Sequence, residues 1–139
     1  MNILQKFSIR ILLPKGRILL MDDEAMILKV SGAMIKSLGY EAAFAENGSE
    51  AVAKYKEAMD TGRPFDIVIL DLTVQGGMGG REAVKRLLKI DPQVKAIVSS
   101  GYSVDSAMAK FEEYGFIDVL AKPYKLETLE KTLHRVNEI

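Results

Sequence analysis

The sequence has no cysteine, a single histidine and no excess of charge of either sign. Without cysteine, the chain can form neither a disulfide framework nor a thiolate metal site. No stretch approaches the roughly 20 apolar residues that a membrane-spanning helix requires, and the first residues lack the apolar core and cleavage site of a signal peptide. We therefore expect a cytoplasmic protein that makes no contact with a membrane.

The charges balance, with 19 lysines and arginines against 19 aspartates and glutamates. Because the chain also has no long basic run, its electrostatics give no reason to expect binding to nucleic acid or to an anionic membrane. The one histidine, His134, lies beside Leu133 in a predicted helix. We expect it to be structural or solvated, and not a phosphodonor.

The length of 139 residues and the apolar fraction of 48% are those of one ordinary globular domain. Residues 1–16 stand apart, because their short apolar run at 9–13 is interrupted by Arg10 and closed by Pro-Lys-Gly at 14–16. A linker from a longer parent protein, an added leader and an extra edge strand all fit this segment. We predict one domain over residues 17–139, preceded by a leader or linker.

Segments typical of strands and of helices alternate from residue 17 onward. The predicted strands are residues 18–21, 40–45, 65–71, 95–98 and 116–121, and the predicted helices are residues 25–38, 49–59, 81–90, 104–113 and 126–136. This alternation with short connections predicts a parallel sheet covered by helices on both faces. Strand 40–45 is less apolar than the others, which favours an edge position.

Two details of the helices follow from the same patterns. Apolar residues recur at helical spacing in segment 25–38, which supports the predicted helix. They are Met26, Ile27, Val30, Met34 and Leu38. Ser49, after the turn at Asn47 and Gly48, is expected to cap the next helix.

The most apolar predicted strand lies in the middle of the chain. Residues 67–70 are four consecutive large apolar residues, three of them β-branched, which is typical of a strand buried on both faces of a parallel sheet. The strand stops at Asp71, and a glycine-dense loop follows at residues 76–80. Ligands of open α/β sheets bind beyond the carboxyl ends of the strands, so Asp71 is either a helix cap or a reacting group.

Other strand ends carry matching chemistry: Asp22 and Asp23 on the first, Ser100 on the fourth and Lys122 on the fifth. In a parallel sheet all these groups can meet at one edge, where three carboxylates would repel one another. Mg²⁺ would remove that repulsion, since it prefers carboxylate, water and phosphate oxygens. A hydroxyl and an ammonium group suit phosphoryl oxygens. The set therefore predicts a site that moves a phosphoryl group onto a carboxylate.

Four motifs make the chain recognisable: Leu-Leu-Met-Asp-Asp-Glu at 19–24, Ile-Val-Ile-Leu-Asp at 67–71, Val-Ser-Ser-Gly at 98–101 and Ala-Lys-Pro at 121–123. Each ends a predicted strand, and together they resemble the receiver domain of two-component response regulators over residues 17–136. The resemblance implies an α/β, flavodoxin-like (βα)5 fold. This is a doubly wound five-stranded parallel sheet with strand order 2-1-3-4-5.

The resemblance also implies roles at the site. Asp71 would accept a phosphoryl group from a phosphohistidine of a partner kinase. Asp23 and Asp71 would ligate Mg²⁺ directly, together with the main-chain carbonyl of Thr73, and Asp22 would act mainly through coordinated water. Lys122 would pair first with Asp71 and then with the phosphoryl oxygens.

Other implications concern the hydroxyl, the proline and the partners. Ser100, which precedes Gly101, fits the family pattern better than Ser99 as the hydroxyl that hydrogen-bonds a phosphoryl oxygen. Pro123 occupies the family's usual cis-proline position. The partner would be a sensor histidine kinase or a histidine phosphotransfer protein, with a parent hybrid kinase as a further option. The domain would be a signalling module that catalyses only its own phosphorylation and dephosphorylation.

Two positions depart from the family pattern. Gln75 stands where the family commonly has proline, so the loop after Asp71 is expected to be less rigid. Val119 stands three residues before Lys122, where many relatives have a tyrosine or phenylalanine that moves during switching. The valine therefore favours a different output surface, or phosphotransfer without a large conformational change.

Two alternatives compete with the receiver hypothesis. A phosphatase resembling the haloacid dehalogenase family would use Asp71 as the nucleophile, and the segments 71–73 and 97–99 partly fit its pattern. Against this reading, Thr73 replaces the expected general acid, and the acid pair lies on the first strand. A degenerate receiver that serves only as a docking surface is disfavoured by the complete set of site residues.

Overall fold

The computed structural model describes residues 13–101 and 109–139, which contain five strands, four α-helices and one 3₁₀ helix. The strands are β1 (Arg17–Met21), β2 (Glu41–Ala45), β3 (Ile67–Asp71), β4 (Ala96–Ser100) and β5 (Asp118–Ala121). The α-helices are α1 (Ala25–Ser37), α2 (Gly48–Asp60), α3 (Gly80–Ile90) and α4 (Leu126–Asn137), and the 3₁₀ helix is Phe111–Tyr114. The first half of the helix predicted at 104–113 lies outside the described residues, and its last three residues belong to the 3₁₀ helix.

The five strands form one parallel sheet in the order β2-β1-β3-β4-β5. The predicted strand order and the edge position of the second strand are both confirmed. Every residue of β3 is buried, because β1 and β4 flank it and helices cover both of its faces. Since all five strands run in one direction, their carboxyl ends lie along a single edge.

The core consists of two apolar layers, one on each face of the sheet. Alternate residues of each strand enter opposite layers, so that Leu19 packs with α2 and α3 while its neighbour Leu20 packs with α1 and α4. Burial on both faces explains why the strands are continuous apolar runs. This two-sided cover holds the strand ends in fixed positions.

Helix α1 buries only part of the apolar set at helical spacing, since Met34 and Leu38 pack against one apolar layer and two other members do not. Met26 and Val30 are 67% and 47% exposed, whereas Ser31, Gly32 and Ile35 are buried. The helix turns its small residues toward the sheet, and the Phe44 ring lies so close that a Cβ atom on Gly32 would be 2.6 Å from it. Close approach of helix and strand therefore outweighs the burial of Met26 and Val30.

Helix α2 also begins differently from the prediction. The side chain of Asn47, and not that of Ser49, caps the helix, because Asn47 Oδ1 accepts a hydrogen bond from the Glu50 N–H at 2.9 Å. Among the described residues, no helix has the length and apolarity needed to cross a membrane.

Candidate functional site

The predicted site residues lie together at the carboxyl edge of the sheet. Asp71 is the last residue of β3 and Ser100 the last of β4, while Asp22 and Lys122 directly follow β1 and β5. Because β3 lies between β1 and β4, Asp71 is placed at the centre of this group. The structure thus brings together groups that are up to 100 positions apart in the sequence.

Asp22, Asp23 and Asp71 form an acidic cluster. Each offers a carboxylate oxygen, and these oxygens lie within 4.8 Å of one another. Asp22 and Asp71 are buried, at 2% and 5% exposure, whereas Asp23 is exposed. An all-oxygen set with one solvent-facing member fits Mg²⁺, which binds through a few carboxylates and keeps several waters. Within residues 13–101 and 109–139, these three side chains form a group that could hold the ion.

Lys122 joins two members of the acidic cluster. Its Nζ donates hydrogen bonds to Asp22 Oδ2 at 2.8 Å and to Asp71 Oδ1 at 3.2 Å. Burial alone would lower the pKa of Lys122, but its hydrogen bond to Asp22 and the charge of Asp71 raise that pKa above its ordinary value. The ammonium group is therefore charged and offsets part of the repulsion between the two acids.

Both oxygens of Asp22 are engaged. Oδ1 accepts a hydrogen bond from the Glu24 N–H at 2.9 Å, while Oδ2 accepts the bond from Lys122. This geometry fixes the Asp22 carboxylate at the start of the segment that leads into α1. It leaves Asp23 and Asp71 as the two members of the acidic cluster that line the cleft, where Glu24 is a further acidic residue.

Asp71 is a weak acid in this environment. Burial, followed by the negative charge of Asp22, raises the pKa of Asp71 from its ordinary value of 3.8 to about 6, although Lys122 acts in the opposite direction. The carboxylate is thus destabilised by its surroundings, and a positive charge placed beside it would favour the ionised form. Such a group is suited to both cation binding and nucleophilic attack.

A cleft of about 540 Å³ opens above the acidic cluster. Its wall includes all but one of the residues that the resemblance assigns to the site: Asp23, Asp71, Thr73, Ser100 and Lys122. Pro123 also lines it, and the Lys122–Pro123 peptide bond is cis, as the resemblance implies. The cleft is large enough to admit a phosphoryl group.

The two adjacent serines of β4 have different surroundings. Both are 3% exposed, but Ser100 lines the cleft, whereas the Ser99 hydroxyl lacks a hydrogen-bond partner among the described residues. Ser99 is paired in register with Asp71 within the sheet. Of the two serines, Ser100 is therefore the one placed beside a group in the cleft.

The loop between β3 and α3 touches the cluster at a point that the sequence analysis missed. The main-chain N–H of Gln75 donates to Asp23 Oδ2 at 3.1 Å, and the loop places Gln75 in the cleft wall. The sequence feature that could have indicated this contact is the absence of proline at position 75, because proline has no N–H to donate. Ile27 of α1 is a second cleft residue that was not predicted as part of the site.

Val119 is aliphatic, so it cannot supply the aromatic ring that many relatives have at this position. It is partly buried and packs against the apolar layer formed with α2 and α3. Nearby, the Arg81 guanidinium lies 4.6 Å from the centre of the Tyr114 ring, which links α3 to the 3₁₀ helix.

Comparison with known proteins identifies relatives of the whole domain. The family model described as the response regulator receiver domain matches residues 18–134. The chemotaxis protein CheY of Thermotoga maritima is 36% identical over 123 residues, which cover 88% of this chain and 98% of that protein.

Solved structures share the same fold. The crystal structure of the CheX–CheY–BeF3–Mg complex from Borrelia burgdorferi gives a TM-score of 0.80 at 23% identity, with 88% of this chain and 90% of that chain covered. Response regulator TrrA from Thermotoga maritima, in complex with Mg²⁺–BeF, gives a TM-score of 0.73 at 26% identity, with 87% and 98% covered. The matches favour the receiver hypothesis over the phosphatase alternative.

Proposed function

The chain belongs to the response regulator receiver domain family and is therefore a two-component signalling domain, in which we propose that Asp71 is the phosphoacceptor. The observation that carries the proposal is the position of Asp71. It ends the central strand, lies within the acidic cluster and accepts a hydrogen bond from Lys122. Its cleft is open to a donor group.

The proposed reaction is transfer of a phosphoryl group from a phosphohistidine. A carboxylate oxygen of Asp71 attacks phosphorus, the bond between phosphorus and the imidazole nitrogen breaks, and the imidazole leaves with the electron pair. The phosphoryl group gains contacts with the Lys122 ammonium and the Ser100 hydroxyl, which lie in the same cleft. These contacts stabilise the charge that is spread over its oxygens during transfer.

We assign the metal-holding role to Asp23 and Asp71, with the Thr73 carbonyl as a third ligand and Asp22 acting through water. Bound Mg²⁺ would supply positive charge at the phosphoryl oxygens and at the clustered carboxylates. The orientation of Asp22 supports its indirect role, because both of its oxygens already accept hydrogen bonds. The Mg²⁺–BeF complex of the relative TrrA supports the choice of metal.

The proposed donor is a sensor histidine kinase or a histidine phosphotransfer protein, acting in trans or as part of a parent hybrid kinase. An apolar strip on α1 supports docking of such a partner. Met26 and Val30 are exposed on this helix, and their neighbour Ile27 lines the cleft. A protein that docks on α1 would therefore have its reacting histidine close to Asp71.

A receiver is a signalling domain and not a conventional enzyme. We propose that this one catalyses only its own phosphorylation and the hydrolysis of its own acyl phosphate. We further propose that residues 17–139 form the functional unit and that residues 1–16 are a leader or linker. The extent of the family match, residues 18–134, supports this division.

The direct test is intact mass spectrometry of the protein incubated with Mg²⁺ and acetyl phosphate. We expect a gain of one phosphoryl group in the wild type and none in Asp71→Asn. Asp60→Asn is the matched control, because Asp60 is an exposed aspartate at the end of α2. An unmodified wild type, or a modified Asp71→Asn, would overturn the proposal.

A further inference from the structure

We propose that the main-chain N–H of Gln75 positions Asp23 for Mg²⁺ binding, and thereby ties the loop after β3 to the metal site. The inference rests on the proposed function of the acidic cluster. It concerns a main-chain group that a proline at this position, common in the family, could not provide. Gln75 acts through Asp23 and is a positioning residue.

Asp23 needs such a partner more than the other two acids do. Asp22 and Asp71 are buried, and both accept hydrogen bonds from Lys122. Asp23 is exposed, so its carboxylate would otherwise lose rotamer freedom when it binds an ion. The bond from the Gln75 N–H to Asp23 Oδ2, at 3.1 Å, restrains the side chain before the ion arrives.

The loop that carries this N–H is itself fixed at two later points. The Gly80 N–H donates to the Leu72 carbonyl at 3.1 Å, which closes the loop between β3 and α3. The Gly48 N–H of α2 donates to the Met78 carbonyl at 2.7 Å, which fastens the loop to the next helix. Gln75 therefore presents its N–H from a held segment.

The electrostatics act in the same direction. An N–H that donates to Oδ2 withdraws part of the negative charge of Asp23, which lowers its repulsion with Asp22 and Asp71. The second oxygen, Oδ1, stays available for the ion. Outer partners that orient metal-binding side chains typically change metal affinity by about 10- to 100-fold. Because Asp23 is exposed, we expect the smaller part of that effect.

The test compares Gln75→Pro, which removes the N–H, with Gln75→Ala, which keeps the N–H and removes only the side chain. The dissociation constant for Mg²⁺ is measured by following amide shifts in ¹H–¹⁵N NMR titrations. We expect Gln75→Ala to bind within about twofold of the wild type, and Gln75→Pro to bind roughly 10-fold more weakly. Equal affinities of the two variants would overturn the inference.

A double-mutant cycle separates loss of the hydrogen bond from disturbance of the loop. The cycle is measured as free energies of unfolding without Mg²⁺, because Asp23→Ala removes a proposed ligand of the ion. In the Asp23→Ala background the acceptor is gone, so the difference between Gln75→Pro and Gln75→Ala should become smaller than it is with Asp23 present. A difference of the same size in both backgrounds would show that proline acts through the loop and not through the bond to Asp23, and would refute the proposal.

A second measurement does not depend on the folding of Gln75→Pro. In Asp23→Ala without Mg²⁺, the Gln75 amide proton should shift upfield and exchange faster with solvent, while that of Gly80 should not change. An unchanged Gln75 amide would contradict the inference. None of these readouts uses phosphorylation, so a failed proposal here and a failed phosphoacceptor assignment give different results.

Discussion

Asp71 is subject to two opposing influences. Burial and the charge of Asp22 favour its neutral form, whereas the ammonium of Lys122 favours the carboxylate. The first influence is the stronger, since the pKa of Asp71 rises to about 6. A raised pKa in the folded state means that the native protein binds this proton more tightly than the unfolded chain does.

The sign of this linkage gives a pH-dependent prediction for Asp71→Asn. In the wild type without Mg²⁺, the Asp71 contribution to the free energy of unfolding falls as pH rises from about 4 through about 6. Asparagine cannot ionise, so the Asp71→Asn variant does not lose this stability as pH rises. We expect Asp71→Asn to be more stable than the wild type by roughly 1–3 kcal/mol at pH 8, and by much less at pH 4.5.

Urea denaturation at the two pH values, with Asp60→Asn as the control, measures this difference. Lys122 keeps its hydrogen bond to Asp22 in the variant, so no buried cation is left without an acid. A stability difference that is the same at both pH values would show that ionisation of Asp71 does not control it.

At the scale of secondary structure, the sequence predicts strands better than helix faces. The strands are continuous apolar runs because both of their sides are buried, and this signal does not depend on orientation. Helix α1 has apolar residues around much of its circumference, so spacing alone does not show that Gly32 faces Phe44. The hydrogen bond from the Gln75 main-chain N–H to Asp23 could likewise not be predicted from the pattern of side chains.

The start of α3 offers a prediction about close packing. A Cβ atom on Gly80 would lie 2.6 Å from the Asp71 carbonyl oxygen, whereas one on Gly77 of the same loop would come no closer than 3.4 Å to Asn47. The Asp71 carbonyl is main chain and cannot turn away as a side chain can. We expect Gly80→Ala to cost about 2 kcal/mol of stability, despite the higher helix propensity of alanine.

Gly77→Ala is the matched control for this loop and should change the free energy of unfolding by less than about 0.5 kcal/mol. Chemical denaturation of both variants gives the comparison. If the two substitutions proved equally tolerated, the helix could move away from the end of β3, and the close approach would not be a requirement of the site.

For the molecule as a whole, the strand order that the family resemblance implies is the one observed, and it places the predicted acids, hydroxyl and lysine at one edge. The sequence does not show which hydrogen bonds orient each of these groups. Hydrogen bonds from Glu24 and Lys122 orient Asp22, and the second of these depends on the folded positions of two segments that lie 100 positions apart. The residue types and the pairing of Lys122 with Asp71 were therefore predictable, whereas the partners of Asp22 and Asp23 were not.

Mg²⁺ should stabilise the whole domain, since a ligand that binds only the folded state adds RT ln(1 + [L]/Kd). At ten times the dissociation constant this is about 1.4 kcal/mol. The effect should be larger at pH 8 than at pH 5, where only about one Asp71 carboxyl in ten is ionised given its raised pKa.

Thermal denaturation with and without Mg²⁺ tests this at both pH values. Asp23→Ala should lose most of the Mg²⁺-dependent increase in melting temperature, whereas Asp60→Asn should keep it. An increase that survives in Asp23→Ala would place the bound ion elsewhere on the protein.

The hydrogen bond between Lys122 and Asp22 joins residues 100 positions apart, and the bond from Lys122 to Asp71 spans 51. Under the proposed function, phosphorylation of Asp71 therefore requires that β5, the last strand, is folded against the part of the chain that precedes it. A molecule that has lost β5 through truncation or misfolding would not be phosphorylated by its kinase. Phosphorylation would thus report the integrity of the fold as well as the arrival of a signal.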